Sequence, residues 1–297
     1  MSDPDIRCSL IGLGVMGQPM AGHLLRSLGR LTVNSRRRIS AAELESAGAT
    51  WAATPREAAA AATEIVVMVP TIADIRGLLD GVDGLLAGLR EPSRLIVCST
   101  TSSQEVRDLQ ADLDVRAPGL VSVVDAPVSG GEEGARAGSL SIMVGGEPGP
   151  AARTVSLLSA CGRAVHLGPL GAGQVAKACN QLIVAATVTA CAEAAVIAER
   201  AGLDIGALFD LLGGGYAGSR IMQVKGPRFA AHDHSPSGPA RFLVKDLRAV
   251  AEEAERGGVQ TYLTEPLRTI FAQLTEEGLG DLDTAVVQRF VEQHSTR

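Results

Sequence analysis

Short runs rich in valine and isoleucine alternate with longer alanine- and leucine-rich stretches through the first half of the chain. The runs are CSLIGLG from Cys8, RLTVNS from Arg30, EIVVMVP from Glu64, RLIVCST from Arg94, SVVDAPVS from Ser122 and LSIMVGG from Leu140. Each is short enough for a buried strand, and the intervening segments 16–27, 41–47 and 55–62 carry apolar residues at helical spacing, closed by Gly, Asn or a polar turn. Strand and helix in alternation predict repeated βα units and a parallel α/β sheet. After His166-Leu167-Gly168-Pro169 the pattern changes: Gly171 to Gly173 reads as a hinge-like opening, and nearly everything downstream is helical. The sequence thus predicts a domain boundary near Gly168, with residues 1–168 forming an α/β domain and 169–297 an all-α domain. The segment 230–240, AAHDHSPSGPA, reads as a loop between helices.

A length of 297 residues accommodates two such domains, and 46% hydrophobic with only 3% aromatic residues means an aliphatic core. The net charge of -6 offers no broad basic surface, which argues against nucleic acid as a partner. The cysteines Cys8, Cys98, Cys161, Cys179 and Cys191 form neither a C-x-x-C pair nor a dense disulfide pattern, as expected in a reducing cytoplasm. The opening MSDPDIRCSL has acids where an export signal needs basic residues, so export is not expected. The most apolar long stretch, 174–201, is interrupted by Lys177, Asn180, Gln181, Glu193 and Glu199, and reads as a buried helix rather than a membrane span.

The strongest chemical signal is Gly12-Leu13-Gly14-Val15-Met16-Gly17, a G-x-G-x-x-G placed where a predicted strand ends and a predicted helix begins. In a Rossmann unit the first glycine permits the tight turn, the second lets backbone approach a pyrophosphate, and the third lets helix and strand pack closely. About 20 residues further on, an NAD-selective fold offers an acid to the ribose hydroxyls. Here Asn34 stands in that place, followed by Ser35, Arg36, Arg37 and Arg38. A neutral amide and three guanidiniums suit a 2′-phosphate, so NADP is expected in preference to NAD.

Four ordered segments, IGLGVMGQPMAGHLL, DAPVSGGEEGARAGSLSIMVGG, GAGQVAKACNQ and FLVKDLRAVAEEA, resemble the β-hydroxyacid dehydrogenase family, the group of 3-hydroxyisobutyrate dehydrogenase and tartronate semialdehyde reductase. The resemblance implies a Rossmann domain followed by a helical domain of the 6-phosphogluconate dehydrogenase type. It also implies reversible hydride transfer between a nicotinamide and a small 3-hydroxy acid or its semialdehyde. On this reading Lys177 resembles the catalytic lysine, an ammonium able to stabilise negative charge on a carbonyl oxygen and donate its proton. Asn180 and Gln181, three and four residues on, share its helix face and could hold the lysine or bind substrate oxygen. Ser129, Gly130 and Gly131 resemble the turn that binds the substrate carboxylate. Lys245 resembles a lysine near nicotinamide and substrate, with Asp246 expected to steady its own helix, and Pro70 and Thr100 are expected at strand ends on the cofactor side. In the segment from Leu211, Tyr216, Ser219 and Arg220 are possible substrate contacts.

Competing readings are an imine reductase, which shares the architecture but usually lacks a lysine at this helix position, and a non-catalytic NADP-binding module. Too little chain follows Gly168 for a 6-phosphogluconate enzyme. No metal is expected, because His232 and His234 have no acid or Cys at ligand spacing, and no G-x-S-x-G elbow is present. The apolar interdomain helix is expected to pack against a second copy, giving a homodimer or homotetramer.

Overall fold

The computed structural model describes residues 6–296. Two compact units divide after Lys177, within a helix. Among the described residues the first is built on nine strands: β1 (Cys8–Ile11), β2 (Thr32–Asn34), β3 (Thr50–Trp51), β4 (Glu64–Val67), β5 (Ser93–Val97), β6 (Val121–Asp125), β7 (Val128–Ser129), β8 (Leu140–Gly145) and β9 (Gly162–Gly168). They form one sheet in the order β3-β2-β1-β4-β5-β6-β8-β7, with β9 also paired to β8.

From β3 to β6 every pairing is parallel. The chain runs outward from β1 through β2 to β3, then returns to β4 on the other side of β1, so the direction of winding reverses between β1 and β4. All the carboxyl ends of these strands therefore open on one edge, with the reversal point at its centre, the position where doubly wound sheets bind ligands. The strands are apolar on both faces because both are covered. Leu10, Val66, Ile96 and Val124 pack with Met20, Ala21, Leu24 and Leu25 of the helix Gly17–Leu28 on one side. Their neighbours Ile11, Val67, Leu95 and Val123 pack with Ile75, Leu79, Val106 and Leu109 on the other.

The parallel pattern ends at β8, which runs antiparallel to β6 and β7. The predicted run SVVDAPVS splits into β6 and β7 around Ala126-Pro127, since proline has no N–H to offer a ladder. β9 and the two-residue β3 lack the apolar run that marks a strand in sequence; most of β9 is exposed.

The helix Ala172–Arg200 begins in the first unit and continues into the second. In the second unit its residues Ala178, Ala185, Val188, Ala192 and Ala195 form an i, i+3, i+4, i+7 stripe in a core with Phe209, Phe229, Leu243, Leu247, Phe271 and Phe290. By length and composition this helix could cross a membrane, and half of its apolar window is buried. Four further helices, Ile205–Gly213, Arg220–Ala230, Phe242–Arg256 and Thr264–Glu276, and a short last one, Val287–Gln293, complete the unit. The loop after Ala230 is held by a buried hub: Asp283 accepts two bonds from Lys225 Nζ, at 2.8 and 2.7 Å, and others from Ser237 and the Ala285 N–H.

Candidate functional site

The glycine loop leaves β1 and enters the helix Gly17–Leu28. Gly12 has φ +105, and a Cβ there would sit 2.3 Å from the Met68 carbonyl oxygen. At Gly17 a Cβ would lie 1.9 Å from the Gly12 oxygen, so helix and loop touch backbone to backbone. Gly14 differs: nothing lies within 4 Å of the place its Cβ would take. Its backbone faces open space, as a pyrophosphate-approaching residue requires. Leu13 is buried with Met16 packed nearby, Val15 is exposed, and no side-chain hydrogen bond caps the helix; in its first turn the Gln18 N–H donates to the Gly14 carbonyl at 3.0 Å and Pro19 has no N–H, so an anion would be met by the loop backbone ahead of them.

At the end of β2, Asn34 is buried and its Nδ2 donates to the Ala52 carbonyl at 2.9 Å, fastening the chain just beyond β3. Its amide therefore does structural work that its place in the sequence did not suggest. Ser35 Oγ donates to the Arg37 carbonyl at 2.8 Å, shaping the turn. Arg38 pairs with Glu45 at 2.8 Å, whereas among the described residues no acid pairs with Arg36 or Arg37, both exposed.

Pro70 is exposed beyond β4, and Thr100 is half-buried beyond β5; Ser99 Oγ ties these two strand ends by donating to the Val69 carbonyl at 2.6 Å. Beside them the lysine helix is fixed by two residues that the sequence reading missed. Gln174, fully buried, accepts from the Thr101 N–H at 3.0 Å and donates to the Ser99 carbonyl at 2.9 Å. Asp125, at the end of β6, accepts from the Gly171 and Gln174 N–H groups, each at 2.7 Å, and so caps the helix from a distant strand. Burial raises the Asp125 pKa above the usual carboxylate value, opposed by those two N–H bonds and by the Arg107 charge. The glycines read as a hinge are packed tight instead: a Cβ on Gly173 would meet the Met143 oxygen at 2.2 Å. Lys177 follows Gln174 by three residues on this anchored turn and is 7% exposed. In the same unit, Ser129 ends β7, and Gly130 and Gly131 follow with φ of +133 and +61, a turn that only glycine adopts readily and that leads into the helix Gly131–Ala137.

In the second unit the same helix carries Asn180 and Gln181. Asn180 Nδ2 donates to Gln181 Oε1 at 2.8 Å, and Gln181 Nε2 donates to Asp246 Oδ2 at 2.5 Å. Lys245 Nζ donates to the other oxygen, Asp246 Oδ1, at 2.8 Å. Asp246 is buried and joins Lys245, its neighbour on the same helix, to the Gln181 amide of a second helix. Tyr216 is fully exposed, Ser219 caps the helix Arg220–Ala230, and Arg220 is exposed at its start.

His232 lies between Glu199, 2.9 Å from Nε2, and Glu292, 3.4 Å from Nδ1, while His234 bonds Gln288 at 3.2 Å. The three ligand atoms lie within 4.8 Å of one another, an acid cluster that is invisible in sequence because its members are far apart. The carboxylates face opposite ring nitrogens of His232. Burial pushes the Cys161 thiol up to about 12 and those of Cys8 and Cys98 higher, so these thiols are not nucleophiles.

Two family models match the chain: the NAD binding domain of 6-phosphogluconate dehydrogenase over residues 7–169, and the NAD-binding of NADP-dependent 3-hydroxyisobutyrate dehydrogenase over residues 171–291. A NAD-dependent L-serine dehydrogenase of Pseudomonas aeruginosa is 33% identical over 289 residues, covering 95% of this chain and 96% of the relative. A 2-hydroxy-3-oxopropionate reductase of Escherichia coli is 33% identical over 285 residues, covering 95% and 96%. A crystal structure of 3-hydroxyisobutyrate dehydrogenase from Salmonella typhimurium superposes with a TM-score of 0.85 at 27% identity, covering 96% of this chain and 100% of that one.

Proposed function

From the premise that the chain belongs to the β-hydroxyacid dehydrogenase family and is an NAD(P)-dependent oxidoreductase of small hydroxy acids or their semialdehydes, we propose that Lys177 is its proton donor and acceptor and that NADP is its preferred cofactor. The observation that carries the reading is the anchoring of the Lys177 turn by Asp125 and Gln174 to the carboxyl ends of β5 and β6, the strand edge on which the glycine loop also opens.

Residues 1–168 serve as the cofactor domain and 169–297 as the helical substrate and dimerisation domain. Gly12, Leu13, Gly14, Val15, Met16 and Gly17 hold the pyrophosphate through open backbone and an uncapped helix start. Arg36 and Arg37, with Ser35 shaping their turn, answer a 2′-phosphate; Asn34 contributes by fastening that turn. Pro70 and Thr100 border the cofactor at the ends of β4 and β5, and Lys245 adds a cation near the nicotinamide. The nicotinamide supplies or takes the hydride.

Ser129 and the N–H groups of Gly130 and Gly131 hold the substrate carboxylate, which leaves the carbonyl or hydroxyl carbon to the lysine. In the reducing direction the Lys177 ammonium hydrogen-bonds the carbonyl oxygen and gives it a proton; in the oxidising direction its neutral form takes the hydroxyl proton. Asn180 and Gln181 orient that exchange. The partner is a small carboxylate; neither nucleic acid nor a membrane enters the reading. A homo-oligomer follows from the exposed apolar positions Ile183 and Ile197 on the long helix, and a cytoplasmic location from five free cysteines.

Oxidation of NADPH and NADH against tartronate, methylmalonate and succinic semialdehydes, with cyclic imines alongside, tests the assignment. Turnover with semialdehydes and a preference for NADPH are expected. Turnover with imines alone would replace the reading by imine reduction, and an equal rate with NADH would reject the cofactor preference.

A further inference from the structure

The hydrogen bonds around Asp246 have a direction, and that direction is set by charge. A carboxylate accepts only. Lys245 Nζ donates to Asp246 Oδ1 at 2.8 Å, so Gln181 must meet Oδ2 with its amide nitrogen, as it does at 2.5 Å. That leaves Gln181 Oε1 facing Asn180, which must answer with its own nitrogen at 2.8 Å. The Asn180 carbonyl oxygen is thereby turned away from Gln181. Asn180 follows Lys177 by three residues on one helix, so the two side chains share a face. Reversing any amide in this chain would set nitrogen against nitrogen or oxygen against oxygen in a half-buried cluster around the buried Asp246.

We propose that Asp246 is a positioning residue for the proton donor: through Gln181 it fixes the amide of Asn180 with its nitrogen on Gln181 and its oxygen turned away from Gln181, so that the helix face of Lys177 carries an acceptor and not a donor. An acceptor there steadies an ammonium, whereas an amide N–H would repel it. This rests on the reading of Lys177 as the acid.

The test is a charge relocation. In Asp246→Asn the new amide accepts from Lys245 and donates to Gln181, which flips and turns its nitrogen on Asn180. Asn180 must then flip as well, placing N–H groups on the lysine's face. In Asn180→Asp the new carboxylate opposes Gln181 Oε1 while Asp246 is still present. Combined, the two substitutions move the charge to position 180 and satisfy both Gln181 bonds with their polarity reversed, while an acceptor again faces the lysine.

Each single variant is expected to lose roughly tenfold to hundredfold in kcat, with NADPH affinity within a few-fold of wild type. The double variant is expected to recover at least tenfold over the product of the single effects. Additive losses, or a single Asp246→Asn variant with wild-type kcat, would overturn the proposal.

Should Asp246→Asn not fold, the pH profile of Asn180→Asp decides. Its deficit relative to wild type is expected to shrink as pH falls, because a protonated carboxyl can donate to Gln181 as the amide does; a pH-independent deficit overturns the proposal. Lys177→Ala run in parallel separates the two levels. If that variant turns over normally, the reading of the acid has failed; if it is inactive while the double variant is additive, only the role of Asp246 has.

Discussion

Gly14 and Gly17 sit three residues apart in one loop, yet alanine at each should fail in a different way. At Gly17 the added methyl would lie 1.9 Å from the Gly12 carbonyl oxygen, against a floor of 3.0 Å that real Cβ contacts respect. Backbone cannot rotate out of the way, so helix and loop must part by about 1 Å. Overpacking of this kind costs about 1–3 kcal/mol, and a backbone clash belongs at the upper end. For a unit of this size that is a fall in Tm of roughly 6–12 °C. At Gly14 nothing lies within 4 Å, and φ is not positive, so the same methyl should leave Tm within about 2 °C.

If the open space at Gly14 receives a pyrophosphate, the methyl removes or lengthens one charge-assisted hydrogen bond, worth about 1.5–3 kcal/mol. The expected rise in the NADPH Kd is then roughly tenfold to hundredfold. Thermal melting without cofactor and a titration of NADPH fluorescence measure the two effects separately. Gly14→Ala with wild-type affinity, or Gly17→Ala with a wild-type Tm, would refute the division of roles.

Replacing Arg36 and Arg37 together by Ala should raise KM for NADPH at least tenfold more than KM for NADH; equal losses would remove the 2′-phosphate from their account. Asp125→Asn should cost about 1–2 kcal/mol in chemical denaturation, because an amide oxygen cannot replace both carboxylate bonds that cap the Lys177 helix. Lys225→Met, which strands the buried carboxylate of Asp283, should cost about 3 kcal/mol. Asp283 also predicts a pH dependence. Burial pushes its pKa up, but Lys225, Ser237 and the Ala285 N–H outweigh this and hold it below 3.8. A carboxylate depressed in the folded state stabilises above the unfolded value and loses that contribution as pH falls through the folded one. Urea midpoints should therefore drop below pH 3.8 in wild type and drop less in Asp283→Asn.

The doubly wound sheet was legible because its strands are apolar on both faces and its glycine loop stands between a strand and a helix. What escaped were elements without that contrast: β9 is mostly exposed, and β3 has two residues. The Lys177, Asn180 and Gln181 spacing was readable on one helix, since helical periodicity is local. The partners that fix those residues were not. Asp125 lies 46 residues from Gly171, and Asp246 lies 65 from Gln181, so neither pairing has a local signature. Asn34 carries a contact that the sequence did not show, the bond from its Nδ2 to the Ala52 carbonyl 18 residues away.

The most direct test of the account is the turnover of Lys177→Ala with NADPH and the best semialdehyde, measured beside its NADPH affinity. The account predicts a kcat lower by at least about a hundredfold with affinity nearly unchanged. A variant that turns over at the wild-type rate would contradict it.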